Sequence, residues 1–210
     1  MSELDALILE RRSIRKYKPD LPPEAWIQAM IACAARAPSP TNSRPIRIIR
    51  IKSPEVRQAL YQAMNEGRRA FMDAAATGEK PKHKMNVLKA YWRYSEFIAN
   101  APLLFSVGTA THVNSFSKRL LAAGIIDQDQ RTDIDHDISI GLALKGFLLK
   151  AAELGLGACI LTAPLVFIGD VDAILGLKNI NVRCLVTVGF PDETPHPVAG
   201  LPLSEMYLEI

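Results

Sequence analysis

Between Asp133 and Leu154 the chain is apolar on most sides of a helical wheel, through Ile138, Ile140, Leu142, Leu144, Phe147, Leu148, Leu149, Ala151, Ala152 and Leu154. A helix with so narrow a polar face has to be buried on nearly all sides. A chain of 210 residues forms a domain too small to surround such a helix readily. The pattern therefore predicts that this helix, the longest in the chain, packs both on its own sheet and on a second subunit. A central helix inside a monomer is the alternative.

The other elements follow from spacing and punctuation. Residues 3–12 read as an amphipathic helix with Leu4, Leu7 and Ile8 on one face. Pro19, Pro22 and Pro23 make a stiff break, and Pro23 suits the first turn of a helix through Trp26, Ile27, Met30, Ile31 and Ala34 that ends near Arg36. Ser53-Pro54-Glu55 caps a helix through Leu60 and Met64. Residues 66–86 are charged, small and glycine-containing, and are expected to form a mobile excursion before a helix near Val87–Ala99. Residues 112–132 have mixed character and read as a short helix or lid, and Pro164 opens a helix ending near Gly176. Strands are expected at Ile46–Ile51, Pro102–Thr111, Ala158–Leu161 and Val182–Val188, and Pro191–Pro202 reads as an extended tail. Helices outnumber strands and lack regular βαβ spacing, which predicts one α+β domain over 1–210, with helices on both faces of a small sheet of about four strands.

Bulk properties narrow the function. The net charge of +3 is low, and outside one early cluster the basic residues are scattered, which argues against nucleic acid as the main partner. Cys33, Cys159 and Cys184 are sparse, odd in number and without a CxxC pair, as expected for reduced thiols and no zinc site. No apolar run reaches bilayer length, and Glu3, Asp5 and Glu10 interrupt the start, so the expected location is the cytoplasm, away from membranes.

The early cluster is Glu10-Arg11-Arg12-Ser13-Ile14-Arg15-Lys16-Tyr17, in which four of eight residues are cationic. Guanidinium forks match the geometry of phosphate, and a serine hydroxyl adds a short donor beside them. Such a cluster calls for an anion. The plainer reading is a solvated helix end whose cations offset the negative pole of the dipole.

Three segments together decide between these readings. Arg11-Arg12-Ser13-Ile14-Arg15, then Ala37-Pro38-Ser39-Pro40-Thr41-Asn42-Ser43-Arg44-Pro45, then Ala151-Ala152-Glu153-Leu154-Gly155-Leu156-Gly157 resemble, in order and approximate spacing, the flavin-dependent nitroreductase family. Asp137 and Val188-Gly189-Phe190-Pro191 are similar to further landmarks of that family. The resemblance runs nearly end to end. It implies a mostly antiparallel sheet and a homodimer with one FMN at each of two subunit interfaces. It also implies that Arg11, Arg12, Ser13 and Arg15 hold the phosphate and the polar edge of the flavin ring. Pro38, Ser39, Pro40 and Asn42, with Arg44, match the family loop that reaches the flavin from the partner subunit. Leu161, Thr162 and Ala163 match the stretch whose backbone lies against the reactive edge of the ring, where an amide donor stabilises developing charge. No side chain is expected to act as acid, base or nucleophile. The implied activity passes electrons from NAD(P)H through the flavin to a small acceptor such as a nitroaromatic or quinone. The alternatives are a specialised member carrying out reductive dehalogenation or flavin breakdown, and a family-shaped binding or regulatory protein that holds FMN weakly.

The chain departs from the family in two places. Arg44 and Ile46 stand where the family usually has Gln and Trp, and the tail stretch Val198–Pro202 lacks the cation that many members use at the phosphate. Arg44, Arg47 and Arg93 are candidates to replace that cation, and Arg44 is also a candidate to meet an anionic substrate. The run Asp133–Asp137 is read as a dipole-favoured helix start rather than a metal site, and Cys159 as a buried structural thiol.

Overall fold

The computed structural model describes residues 2–77, 79–129 and 131–210. Helix α1 (Glu3–Glu10) begins at Ser2, whose hydroxyl accepts the Asp5 amide while the Asp5 carboxylate accepts the Ser2 amide. Helix α2 (Glu24–Ala34) follows the proline break with Pro23 at its N-cap. Strand β1 (Ile46–Arg50) leads to α3 (Pro54–Ala76), where the Ser53 hydroxyl accepts the Val56 amide and Pro54 occupies the first turn. The chain continues through α4 (Pro81–Arg93), β2 (Leu103–Ala110), α5 (Phe116–Ala122), α6 (Thr132–Glu153) and β3 (Gly157–Leu161). It ends with α7 (Ala163–Ile168), α8 (Val171–Leu175), β4 (Ile180–Gly189) and α9 (Leu203–Met206).

The four strands form one antiparallel sheet in the order β1-β2-β4-β3, which is the α+β arrangement expected from the sequence. On one face, Ile27 and Met30 of α2 and Leu144 and Phe147 of α6 pack on Phe105, Val107, Val186 and Val188. The Phe105 and Phe147 rings meet edge to face at 5.7 Å. On the other face, Leu60 and Met64 of α3, Trp92 of α4 and Phe167 of α7 pack on Leu104, Leu161 and Leu185. Each such side chain contributes about 1.5–3 kcal/mol when fully buried. The central strands β2 and β4 are covered on both faces, so they read as nearly continuous apolar runs.

Three elements differ from expectation. Residues 66–76 and 81–86 are not an irregular excursion but belong to α3 and α4, while Gly78 lies outside the described residues. Gly67 marks where α3 crosses α7, and a Cβ there would run into the Phe167 backbone. Arg68 places its guanidinium over the Trp92 ring at 4.3 Å. The glycine and charges that suggest mobility therefore serve close packing. At 23 residues α3 is longer than α6 at 22, so α6 is not the longest helix. The segment after Pro164 is two short helices, α7 and α8, separated at Gly169 with φ 72°. The segment 112–132 contains the short helix α5, and Gln130 lies outside the described residues. Helix α6 leaves one strip uncovered in the single chain: Ile134, Ile138 and Leu142 are 44–46% exposed.

Candidate functional site

The cationic segment is held by its backbone. After α1 ends at Glu10, the chain runs alongside β3: the Ile14 amide donates to the Ala158 carbonyl at 3.2 Å, and Ser13 bridges Ala158 in parallel register. Gly157 makes this approach possible, because a Cβ there would sit 2.6 Å from the Ile14 side chain. On the other side, one Glu193 carboxylate oxygen accepts the amides of Arg15 at 2.5 Å and Lys16 at 3.0 Å. The Tyr17 hydroxyl donates to the Ile14 carbonyl and lies 2.9 Å from the Thr187 hydroxyl, and burial raises its pKa well above the usual phenol value. The main chain of residues 14–16 is thus tied to β3 and Glu193, and the Tyr17 side chain ties the segment to β4.

The side chains that remain carry the charge. Arg11 and Arg12 line a cavity of about 240 Å³ together with Leu7, Glu10, Gly155–Ala158 and Pro191. Arg12 directs Nη1 to the carbonyls of Leu9 at 2.5 Å and Arg11 at 2.9 Å, closing the end of α1. The plainer sequence reading therefore holds for part of Arg12. Its Nε, like that of Arg15, is shielded from solvent and has no hydrogen-bond partner among the described residues. The Arg15 guanidinium lies over the Tyr94 ring at 5.3 Å. Among the described residues no carboxylate forms an ion pair with Arg11, Arg12 or Arg15. Behind them the Cys159 thiol is buried, which raises its pKa, an effect opposed by Arg15 and by a hydrogen bond from Ser13. Three guanidinium groups without an ion pair among the described residues, two of them with a shielded free Nε, make this corner a candidate anion site.

The second predicted segment lies elsewhere. Pro40–Asn42 form a single 3₁₀ turn, and Thr41, Asn42 and Arg44 have φ of 52°, 54° and 49°. Positive φ is unfavourable for residues other than glycine, least so for asparagine, and such strain concentrates at functional sites. The loop satisfies itself: the Ser39 hydroxyl accepts the Arg44 amide at 2.9 Å, and Asn42 Oδ1 accepts Arg44 Nε at 3.0 Å. Ser39, Arg44, Arg47 and Ile46 border a groove of about 350 Å³ between α2 and β1.

Strand order separates the two segments. The loop enters β1 at one edge of the sheet, whereas Ser13 bridges β3 at the other. Three strand spacings, about 14 Å, lie between these edges. The third segment, Leu161, Thr162 and Ala163, closes β3 and opens α7 on the same edge as the arginines. One chain therefore brings Arg11, Arg12, Ser13 and Arg15 to the edge that carries Leu161–Ala163, and keeps Pro38–Arg44 apart from them.

Of the three candidates to replace the missing cation, Arg44 and Arg47 sit at the β1 edge, with Arg47 Nη1 donating to the carbonyls of Arg44 at 3.2 Å and Ile46 at 2.8 Å. Arg93 is next in sequence to Tyr94, which covers Arg15. Asp133 and Asp137 both face Arg183 of β4, Asp133 in a hydrogen-bonded ion pair and Asp137 at 3.8 Å. Two residues of the site escaped the sequence reading. Glu193 follows the Val188–Pro191 landmark and was in reach of it, whereas Tyr94 gives no local signal.

The fold and this corner define a helix-covered antiparallel sheet protein with a cluster of arginines beside its edge strand. The nitroreductase family profile matches residues 8–190, and the chain belongs to that family. It is 29% identical over 204 residues to the NADH dehydrogenase of Thermus thermophilus, covering 95% of this chain and 92% of that one. Among solved structures, a BluB-like flavoprotein from Clostridium difficile superposes with a TM-score of 0.79 at 21% identity, covering 100% of both chains. The NADPH:FMN oxidoreductase of Vibrio harveyi, complexed with NAD+, superposes with a TM-score of 0.71 at 19% identity, covering 99% of this chain and 77% of that one.

Proposed function

We propose that the protein is a homodimeric FMN oxidoreductase that takes electrons from NAD(P)H and delivers them to a small acceptor such as a nitroaromatic or quinone. The observation that carries this reading is the set of three guanidinium groups at the β3 edge that have no ion pair among the described residues, with the shielded Nε atoms of Arg12 and Arg15 lacking acceptors among those residues. A phosphate and the carbonyl edge of an isoalloxazine supply the acceptors such donors require. FMN supplies reversible two-electron chemistry when bound, and the protein supplies binding, orientation and electrostatics.

In this reading Arg11, Arg12 and Ser13 hold the phosphate and Arg15 faces the polar edge of the ring. Leu161, Thr162 and Ala163 present backbone to the reactive edge. Pro38, Ser39, Pro40, Asn42 and Arg44 serve the site of the other subunit, because strand order keeps them from the arginines of their own chain. The exposed strip Ile134, Ile138 and Leu142 on α6 supports a second copy as the surface that covers it. The exposed tail residues Leu203, Met206, Tyr207 and Leu208 support the same assignment.

The test is the absorption spectrum of the purified protein, with the released cofactor identified and NADH or NADPH then added. The expected result is a yellow dimer that releases FMN and bleaches with reduced nicotinamide. A colourless protein that stays colourless after FMN is added contradicts the reading.

A further inference from the structure

Beyond β4 the chain turns back along the cationic segment and pairs with it. The Lys18 amide donates to the Phe190 carbonyl at 2.9 Å, the Asp192 amide donates to the Lys16 carbonyl at 3.0 Å, and Tyr17 bridges Pro191 in antiparallel register. Glu193 completes this pairing with its side chain, one carboxylate oxygen accepting the amides of both Arg15 and Lys16. The carboxylate sits on the backbone of a cationic segment, yet among the described residues it forms no ion pair with Arg11, Arg12 or Arg15. Two consecutive amides are themselves donors that an anion can take. Glu193 occupies them and leaves the Arg15 side chain for a ligand, with the guanidinium over Tyr94 and Nε shielded.

We infer that Glu193 is a positioning residue for the cofactor: its carboxylate fixes the backbone at Arg15 and Lys16, and through it the direction in which Arg15 offers its donors. That the ligand is FMN rests on the proposal above, whereas the hold on Arg15 does not. Two effects of a carboxylate at this place oppose each other. Its charge repels an anionic ligand, so its removal would tighten binding, but Glu193 is half-buried and solvent screens that repulsion. Its geometry holds a guanidinium ready, and a donor that must be ordered on binding costs affinity. Hydrogen bonds from two amides to one carboxylate belong to the strong, charge-assisted class. Positioning therefore outweighs repulsion, and removing the negative charge beside an anion site weakens binding of the anion.

The experiment is a double-mutant cycle. FMN is titrated into the stripped parent, Glu193→Ala, Arg15→Ala and the double variant, with circular dichroism showing that each is folded. Glu193→Ala should bind FMN about tenfold more weakly than the parent. Added to Arg15→Ala it should cost less than about twofold more, because its effect passes through that side chain. A merely structural Glu193 would lower the melting temperature and give two losses that add. Glu193→Gln keeps an uncharged acceptor, which makes bonds about half as strong, and should bind FMN about threefold more weakly. It also gives the second reading should Glu193→Ala fail to fold. Equal or tighter binding by either variant, or losses that add in the double variant, overturns the inference. A parent that takes up no FMN contradicts the redox reading. The same cycle is then read by calorimetry with inorganic pyrophosphate, where coupling between Glu193 and Arg15 supports the positioning role and its absence overturns it.

Discussion

The Arg15 guanidinium lies 5.3 Å from the centre of the Tyr94 ring, joining the cationic segment to the end of α4. A cation held by a ring face keeps its in-plane N–H donors available, unlike one held by a carboxylate. The Arg15 amide is bound to Glu193, and its Nε is shielded without an acceptor among the described residues. Tyr94 thus steadies the charge without consuming its donors.

Tyr94→Ala should weaken FMN binding by about two- to thirtyfold, the range given by about 0.5–2 kcal/mol for a cation–π contact. Tyr94→Phe keeps the ring face and should retain near-parental affinity. Fluorescence titration of FMN into stripped protein measures both. Equal losses in the two variants would assign the effect to the hydroxyl instead.

Gly157→Ala should destabilise the fold by about 1–3 kcal/mol, because the added methyl meets Ile14 at 2.6 Å. The displacement falls on the segment that carries the arginines, so FMN retention should fall with stability. Urea denaturation and the flavin content of the same preparation read the two effects. Gly155→Ala is a different case: nothing stands near its Cβ, and its cost should come from φ 72° alone.

Acid should act on the start of α6 through Asp129. The Ser117 hydroxyl at 2.6 Å, the Thr132 hydroxyl and the amides of Arg131 at 3.2 Å and Thr132 at 3.1 Å all donate to its carboxylate. These bonds, with Ser117 the largest contributor, hold its pKa well below the usual carboxylate range. A depressed folded-state pKa gives stability that is present above the unfolded value of about 3.9 and is lost as pH falls below it. Asp129→Asn should therefore melt below the parent at pH 7, with the gap beginning to narrow only as pH falls from about 4 to 3. Parallel melting curves across that range would refute the assignment.

The sequence reading succeeded where the determinants are local. β-branched and apolar runs located all four strands, Ser53 and Pro54 located the start of α3, and two of the three motifs, Arg11–Arg15 and Ala151–Gly157, meet at the β3 edge. It failed where neighbours distant in sequence decide. Gly67 looks like a helix breaker until α7 lies against it, and Arg68 looks like solvated surface until Trp92 lies beneath it. The contact between Arg15 and Tyr94 joins positions 79 apart and leaves no mark on either local sequence. Asn42 is a familiar residue for positive φ, but Arg44 is not, and the Ser39 hydroxyl that receives its amide becomes apparent only in the folded loop.

The central claim is that unpaired arginines at the β3 edge grip FMN. It is tested most directly by equilibrium titration of FMN into stripped Arg11→Ala/Arg15→Ala protein beside the parent, with circular dichroism showing that both are folded. Charge-assisted hydrogen bonds of about 1.5–3 kcal/mol each predict that affinity falls about a hundredfold or more. Unchanged FMN affinity in the folded double variant would contradict the account.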